Sequence, residues 1–390
     1  MTALASTAIA ASALAAPSSC PPWPLWQAYS ARFIQADGRV IDYATDIYHS
    51  TSEGQAYALF FALVANDRPR FDRLLRWTTD NLAGGDLRRR LPAWQWGRRN
   101  DGSWDVVDAN SASDADLWLA YALLQAARLW RDPNYGVLGR AVLSNVRNQA
   151  VAELPGLGPM ILPGAQGFKE DERTVRLNPS YLPIQLLRAF AAEDRAGPWQ
   201  SVAANTLKFV QDISPLGFVP DWAVYKASPG NGAAAAGNFD FDPAKGSEGS
   251  FDAIRVYLWA GMLHPTDRLA RPLLGALGAM REHLRRPPSA PPLRTDARTG
   301  AAEGDGPVGF SAAVLPYLSA LGETLILERQ RSRTTAGAKG DLIGENPRYY
   351  DQVLAMFGLG WLEGRFRFEA TGQLAPQWET QCRSKKRSPG

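Results

Sequence analysis

The sequence has few residues that bind metals or act as thiol nucleophiles. Its 390 residues include two cysteines, Cys20 and Cys382, near opposite ends of the chain, and three histidines, His49, His264 and His283. These spacings match no metal-binding pattern, so we expect no metal site and no catalytic thiol. The two cysteines are predicted either to close the termini in a disulfide, if the protein is exported, or to remain two unpaired thiols.

The chain also lacks a charge imbalance and long apolar runs. It has 42 Lys and Arg against 39 Asp and Glu, a formal net charge of +3, which does not indicate a nucleic-acid partner. The basic residues at 383–387 are interpreted as a solvated tail. Residues 1–16 are apolar and end in small residues but have no basic start, so residues 1–19 are predicted to be a signal peptide. No later stretch is predicted to span a bilayer, and we expect a periplasmic or secreted protein.

Aromatic residues, by contrast, are abundant. The chain has 13 Trp, 12 Tyr and 15 Phe, and several Trp lie close together in short loops rather than in periodic runs. Sugar rings have apolar faces that stack on indole rings, so this pattern favours a glycan-binding cleft. A large core rich in aromatic residues explains the same composition, and both interpretations stay open at this point.

Helical periodicity recurs along the whole chain, and no stretch has strong strand alternation. The segments that begin near 53, 113, 180, 251, 310 and 347 are apolar on most sides, as buried helices are, and those near 68, 135, 198 and 267 carry more charge. This alternation predicts an all-α fold in which an outer ring of helices surrounds an inner ring. Short connections make neighbours antiparallel, so every inner helix should begin at the same rim. The predicted helices are 24–36, 53–66, 68–83, 113–131, 135–152, 180–193, 198–213, 251–264, 267–285, 310–321, 323–331 and 347–362.

Two stretches are predicted to be long loops. Residues 227–249 are rich in Gly and Ala, and residues 287–308 are rich in Pro, Gly and Ala. Helical patterns of the same kind continue after each of them, so neither stretch has the character of a linker between domains. We therefore predict a single domain over residues 20–390.

Acidic residues stand at the starts of three predicted inner helices, and Glu53, Asp114 and Asp252 would converge on one rim. The helix dipole alone explains an acidic residue there, and it would lower the pKa of Glu53. A general acid at this position therefore needs burial or a second carboxylate, such as Asp114 or Asp116, to raise the pKa. Asp252 has Arg255 at i+3, a pair that keeps a base ionised or serves as a structural ion pair. One protonated and one ionised carboxyl group are what glycoside cleavage requires.

Six ordered motifs give the sequence a resemblance to a known family. Together they cover nearly the whole chain after residue 23, and the ordered set is far more specific than any one motif. The sequence closely resembles glycoside hydrolase family 8, and within it the periplasmic endoglucanases associated with bacterial cellulose synthase. The motifs are TSEGQ at 51–55, LPAWQWG at 91–97, ASDAD at 112–116, NPSYLP at 178–183, SFDAIRVY at 250–257 and GPVGFSAA at 306–313.

The resemblance implies an (α/α)6 barrel and an inverting endo-β-1,4-glucanase without a cofactor. It implies that Glu53 is the proton donor and that Asp252, held by Arg255, is the base that activates water. Asp114 would hold the sugar at the cleavage site, and a rival assignment makes Asp114 a nucleophile. The side chains expected to stack on or contact glucose units are Trp94, Trp96, Tyr181 and Tyr350.

The substrate and the biological setting are also expectations from the resemblance. It implies a cellulose-type β-1,4-glucan substrate, a role in bacterial cellulose synthesis, and a cellulose-synthase secretion complex as a further partner. Xylan, chitosan or mixed-linkage glucan are alternative substrates for the same fold. A catalytically silent glycan-binding component of a secretion machine is the alternative from a different class, although both predicted catalytic carboxyls are present.

Overall fold

The computed structural model describes residues 20–171, 173–228, 236–287 and 289–380. The predicted signal peptide at 1–19 lies outside the described residues. Cys20 is disulfide-bonded, whereas Cys382, the partner predicted for it, also lies outside the described residues. No helix in the described ranges combines the length and the apolar character needed to cross a membrane.

The chain is built mainly of helices, and short connections join most of them. A 3-10 turn at Pro179–Tyr181 precedes the sixth helix. The α-helices are α1 (Pro24–Phe33), α2 (Ser52–Val64), α3 (Arg68–Leu82), α4 (Ser113–Trp130), α5 (Pro133–Gln149), α6 (Ile184–Glu193), α7 (Trp199–Ile213), α8 (Ala253–Met262), α9 (Ala270–Ala276), α10 (Gly278–Leu284), α11 (Val308–Ala313), α12 (Leu315–Ala320), α13 (Thr324–Thr335), α14 (Tyr349–Leu362) and α15 (Gln377–Thr380).

The helices form the predicted (α/α)6 barrel. The inner ring consists of α2, α4, α6, α8, α11 with α12, and α14, and nearly every side chain of α2 is buried. The outer ring consists of α1, α3, α5, α7, α9 with α10, and α13; α3 buries only one stripe, as a peripheral amphipathic helix does. One predicted inner helix is split into α11 and α12, and Pro316 stands in the first turn of α12, where a missing N–H costs least.

Short strands also occur, although no stretch of the sequence has strong strand alternation. They form five small antiparallel sheets, and both predicted loops contain hairpin strands. The strands are β1 (Ser50–Thr51), β2 (Gln95–Arg98), β3 (Trp104–Asp108), β4 (Val151–Leu154), β5 (Gly158–Ile161), β6 (Thr174–Leu177), β7 (Ala223–Ala227), β8 (Gly237–Phe241), β9 (Glu248–Gly249), β10 (Pro292–Asp296), β11 (Ala302–Asp305), β12 (Phe366–Phe368) and β13 (Leu374–Pro376).

The strands escape sequence analysis because each spans only two to five residues, too few to establish a period. Local turn chemistry forms them instead. At the β10–β11 turn, the Asp296 carboxylate accepts hydrogen bonds from the backbone N–H groups of Arg298 and Thr299, both at 2.8 Å. Gly300 then takes a positive φ of 74°, which glycine adopts without steric cost.

The two ends of the barrel differ. Sheets β1–β2–β3, β6–β7–β8 and β9–β10–β11 lie beside the starts of inner helices and form walls at that rim. At the other end, Phe366 and Phe368 of the β12–β13 hairpin pack on Phe60 in the second half of α2. The Tyr121 hydroxyl donates a hydrogen bond to the carbonyl of Gly372 in the same hairpin (2.7 Å). The hairpin closes this end, so the open rim is where the inner helices begin.

Candidate active site

Glu53 lies in the first turn of α2, at the open rim. The hydroxyl of Thr51 accepts a hydrogen bond from Gly54 N (3.1 Å), so the helix is capped without the Glu53 carboxyl. That carboxyl instead accepts a hydrogen bond from the Trp94 indole N–H (3.0 Å). Burial and the negative charge of Asp114 raise the pKa of Glu53 to about 8. Glu53 therefore keeps its proton at neutral pH, although the helix dipole acts in the opposite direction.

Asp252 accepts a hydrogen bond from a side-chain donor on each of its carboxyl oxygens. It stands at the start of α8, and its Oδ1 accepts a hydrogen bond from Arg255 Nη2 (2.7 Å). Its Oδ2 accepts another from the side-chain amide of Asn178 (2.9 Å). The two bonds fix the orientation of the Asp252 carboxyl group. The side chain remains 29% exposed, so water can reach it.

Arg255 connects the carboxyl groups of the rim. Its guanidinium is buried, and Nη1 donates hydrogen bonds to Asp114 Oδ2 (3.1 Å) and to the Tyr57 hydroxyl (3.0 Å). Nη2 donates to the Ser180 hydroxyl (2.9 Å) as well as to Asp252. One cation thus fixes groups from four inner helix starts, and two acidic side chains share its charge.

Asp114 is far less accessible than Asp252. Its side chain is 1% exposed, and burial raises its pKa to about 6 in spite of the opposing effect of Arg255. The charge of Asp252 acts in the same direction as burial. Because Asp114 also acts on the pKa of Glu53, it lies electrostatically between the other two carboxyls.

Asp116, the second acidic residue of the ASDAD motif, is not one of the groups that Arg255 binds in the described part of the chain. It is fully buried. Burial and the charges of Asp114 and Glu53 raise its pKa well above the usual range, although the Ser111 side chain, its polar neighbour, lowers it. Of the two residues, Asp114 is the one that joins the Arg255 network.

Asp221 is a further acidic residue beside Asp252. Its Oδ1 accepts hydrogen bonds from Ser250 N (2.8 Å) and from Ala253 N (2.7 Å), so it caps the start of α8 from a separate segment. Burial and the neighbouring charge of Asp252 raise the pKa of Asp221 to about 6. Asp252 occupies the cap position itself but makes no side-chain cap hydrogen bond. Its carboxylate is therefore free to bind Arg255.

The two predicted tryptophans occupy different environments. Trp94 is 36% exposed and contacts Glu53 directly. Trp96 is half-buried; its ring packs edge-on against Trp77 and stacks on Trp104, with ring centroids 5.5 Å apart in both pairs. Trp104, which the sequence analysis did not select, is the more exposed partner at 44%.

The two predicted tyrosines lie around the Arg255–Asp252 pair. The Arg255 guanidinium lies 5.6 Å from the ring centroid of Tyr181, and the Tyr181 ring contacts Trp222. The hydroxyl of Tyr350 donates a hydrogen bond to the backbone carbonyl of Phe251 (2.7 Å). Tyr350 is thereby fixed against the residue that precedes Asp252.

Sequence analysis missed four residues of this site. Ser180 and Asn178 lie in the NPSYLP motif, and Asn before Pro is a signal for a capped turn. Tyr57 lies four residues after Glu53, on the same face of α2, so helical spacing could have selected it. Asp221 falls in a non-periodic segment, and no sequence signal places it beside α8.

Two acidic side chains at the open rim of a helical barrel, one with a raised pKa and one bound by an arginine, are an arrangement that glycoside hydrolases use. The model of glycosyl hydrolases family 8 matches residues 2–364, and the chain belongs to this family. No group of three or more His, Cys, Asp or Glu within the described ranges is arranged to hold a metal ion.

Several relatives cover almost the full chain. An endoglucanase of Xanthomonas axonopodis pv. citri is 50% identical over 370 residues, which are 95% of this chain and 93% of the relative. An endoglucanase of Escherichia coli K12 is 41% identical over 361 residues, 92% of each chain. The crystal structure of an endo-1,4-D-glucanase from Vibrio fischeri ES114 superimposes with a TM-score of 0.84 at 39% identity and covers 92% of this chain and 100% of that one.

Proposed function

We propose that this chain is an endo-β-1,4-glucanase that hydrolyses internal bonds of cellulose-type glucan with inversion of configuration. Glu53 protonates the glycosidic oxygen, and Asp252 takes a proton from the water that attacks the opposite face of the sugar. The observation that carries the proposal is the contrast between the surroundings of the two carboxyl groups. Burial and Asp114 raise the pKa of Glu53 to about 8, whereas Arg255 and Asn178 bind the Asp252 carboxylate.

Accessibility supports Asp252 rather than Asp114 as the partner of Glu53. An attacking water must reach the base, and the Asp252 side chain is 29% exposed against 1% for Asp114. Asp114, fixed by Arg255, is suited to bind a sugar hydroxyl next to the bond that is cut. A single displacement places the two catalytic carboxyls about 6.5–9.5 Å apart, with the water between them, whereas a retaining reaction needs about 5–5.5 Å.

The substrate assignment rests on the family and on the relatives named endoglucanases at 50% and 41% identity. We propose Trp94, Trp96, Tyr181 and Tyr350 as sugar contacts, with cellulose preferred to xylan, chitosan or mixed-linkage glucan. From the resemblance we also propose a periplasmic or secreted location, a disulfide between Cys20 and Cys382, and a role in bacterial cellulose synthesis alongside a cellulose-synthase secretion complex.

Hydrolysis of cellohexaose followed by proton NMR tests the mechanism. The first product is expected to carry a new reducing end in the α configuration. A β-configured initial product would contradict inversion and would assign Asp114 as a nucleophile. The matched variants Glu53→Gln and Asp252→Asn serve as controls, because each keeps the side-chain shape and removes one titrating group.

A panel of polysaccharides tests the substrate. New reducing ends are expected from carboxymethyl cellulose at higher kcat/KM than from xylan, chitosan or mixed-linkage glucan. Binding to carboxymethyl cellulose without any new reducing ends would overturn the enzyme assignment in favour of a silent glycan-binding component.

A further inference from the structure

Exposed aromatic side chains cluster on one wall of the open rim. Over the ranges that the structure describes, the aromatic residues at least 36% exposed are Tyr43 (45%), Tyr48 (48%), Trp94 (36%), Trp104 (44%) and Phe251 (47%). Phe251 adjoins Asp252, and the other four belong to the segments that flank Glu53. Exposed apolar side chains gathered next to a catalytic groove mark a ligand surface rather than chance exposure.

The aromatic residues on the Glu53 side are joined to one another. The Arg39 guanidinium carbon lies 4.8 Å from the Trp104 ring centroid, and the same guanidinium donates a hydrogen bond to the backbone carbonyl of Tyr48. The Tyr48 ring in turn contacts Tyr43, with centroids 6.3 Å apart. Arg39 thus links the tyrosine pair to Trp104 beside the sheet β1–β2–β3, whose strand β1 leads directly into α2 and Glu53.

The backbone of Tyr48 is strained in a way that core packing does not explain. Its φ is +46°, a left-handed conformation that is unfavourable for a residue with a side chain. The surrounding loop is held rigidly, since Asp42 N donates to the His49 carbonyl (3.0 Å) and the His49 ring bonds the Gln95 amide (2.7 Å). The strain is kept at a residue whose ring is nearly half exposed, which is typical of a binding position.

We propose that Tyr43, Tyr48 and Trp104 form a glucan platform, a surface that binds a stretch of β-1,4-glucan outside the bond-cleaving site. The inference rests on the proposed function, because the ligand is the continuation of the chain held at Glu53. A flat, uncharged glucan presents apolar ring faces that stack on aromatic rings. Trp104 stacks on Trp96, which lies two residues after the tryptophan that donates a hydrogen bond to Glu53, and this favours a glucan over a separate protein as the occupant. The platform would increase the affinity for long or insoluble glucan chains, which reach it, and would not change the affinity for short oligosaccharides.

The test variants are Tyr48→Ala and Trp104→Ala. Two variants serve as controls: Tyr48→Phe keeps the aromatic ring, and Leu325→Ala removes a side chain that is 83% exposed on the outer helix α13. Binding to phosphoric-acid-swollen cellulose is measured in a Glu53→Gln background. Each alanine variant is expected to lose about threefold to tenfold in affinity, whereas Tyr48→Phe and Leu325→Ala keep it. In the active background, KM for swollen cellulose should rise while kcat/KM for cellotetraose stays within twofold.

Unchanged cellulose affinity in a folded Tyr48→Ala, Trp104→Ala double variant would overturn the platform, and so would an equal loss on cellotetraose. A change in sedimentation behaviour with unchanged cellulose affinity would also overturn it, because it would assign the surface to a contact between copies. Failure of the proposed function is a separate result. An unmutated protein that releases no reducing ends from any glucan refutes the activity, while the binding series still measures the platform.

Discussion

At the scale of single residues, the unusual property of the site is that burial raises the pKa of two neighbouring acidic groups, Glu53 and Asp114. Glu53 is affected by two neighbours in opposite directions. The charge of Asp114 raises its pKa, and the hydrogen bond from Trp94 lowers it. The chemistry proposed for Glu53 therefore depends on its surroundings, and variants of these neighbours should change it predictably.

The pH dependence of kcat/KM should reveal this balance. With a pKa of about 8, Glu53 loses its proton on the alkaline side, so activity is expected to fall as pH rises through about 8. Asp114→Asn removes a negative charge and should move this limb to lower pH. Trp94→Phe removes a hydrogen bond to the carboxylate and should move it to higher pH. If the alkaline limb of the kcat/KM profile moved in the same direction in both variants, the assignment of Glu53 as the titrating acid would be contradicted.

Removing the acid should lower activity and raise stability together. Glu53→Gln is expected to reduce kcat by about 10²–10⁴-fold. In the unfolded chain Glu53 ionises near 4.5 and in the folded chain near 8, so the folded state binds more protons between these values and becomes less stable as pH rises. The stability that Glu53→Gln gains should therefore grow from pH 5 to pH 8, where it reaches on the order of 4 kcal/mol. Thermal unfolding of both proteins at the two pH values measures it, and an equal gain at both would contradict the raised pKa.

At the scale of elements, the start of α8 shows how a helix can present the carboxylate that we propose as the base. A residue at the cap position usually turns its side chain back to the helix N–H groups. Here Asp221 supplies that cap from another segment, and Asp252 points to Arg255 instead. Asp221 is thus a positioning residue that acts through Asp252.

Replacing Asp221 should separate this role from a general effect on folding. Asp221→Ala removes the cap, so the Asp252 side chain is expected to bind the freed N–H groups instead of Arg255. We therefore expect kcat to fall by about tenfold or more, while KM changes little. Asp221→Asn keeps a cap acceptor and should restore most of kcat. Loss of kcat in Asp221→Asn equal to that in Asp221→Ala would contradict a capping role.

Helices and strands were not equally predictable from the sequence. Helices such as α3 and α7 carry a period over 15 residues, and the predicted bounds 68–83 and 198–213 agree with them to within one residue. The hairpins could not be predicted, because their pairing depends on short turns and on the barrel beneath them. The site divides in a similar way. Local motifs identified Glu53, Asp114, Asp252 and Arg255, whereas Asp221 is recognised only by its tertiary contact with the start of α8.

At the scale of the whole molecule, the barrel is a ring, and its closure brings the last inner helix against the first. Phe357 of α14 packs on three aromatic residues of α2, and its ring lies 4.6 Å from that of Phe61. It also contacts Trp118 of α4 and Trp259 of α8. Segments far apart in sequence thus share one aromatic centre beneath the catalytic rim.

Phe357→Ala tests whether residues 20–390 behave as one domain. Because the side chain is fully buried, its loss should cost about 3–5 kcal/mol in the free energy of unfolding. If the ring is a single cooperative unit, calorimetry should record one transition in both proteins, moved as a whole to lower temperature in the variant. Leu325→Ala, at the exposed surface, should change stability by less than about 0.5 kcal/mol. Two thermal transitions, of which Phe357→Ala moves only one, would contradict the single domain. In a closed, cooperative ring, loss of the central aromatic contact should destabilise all the helices together.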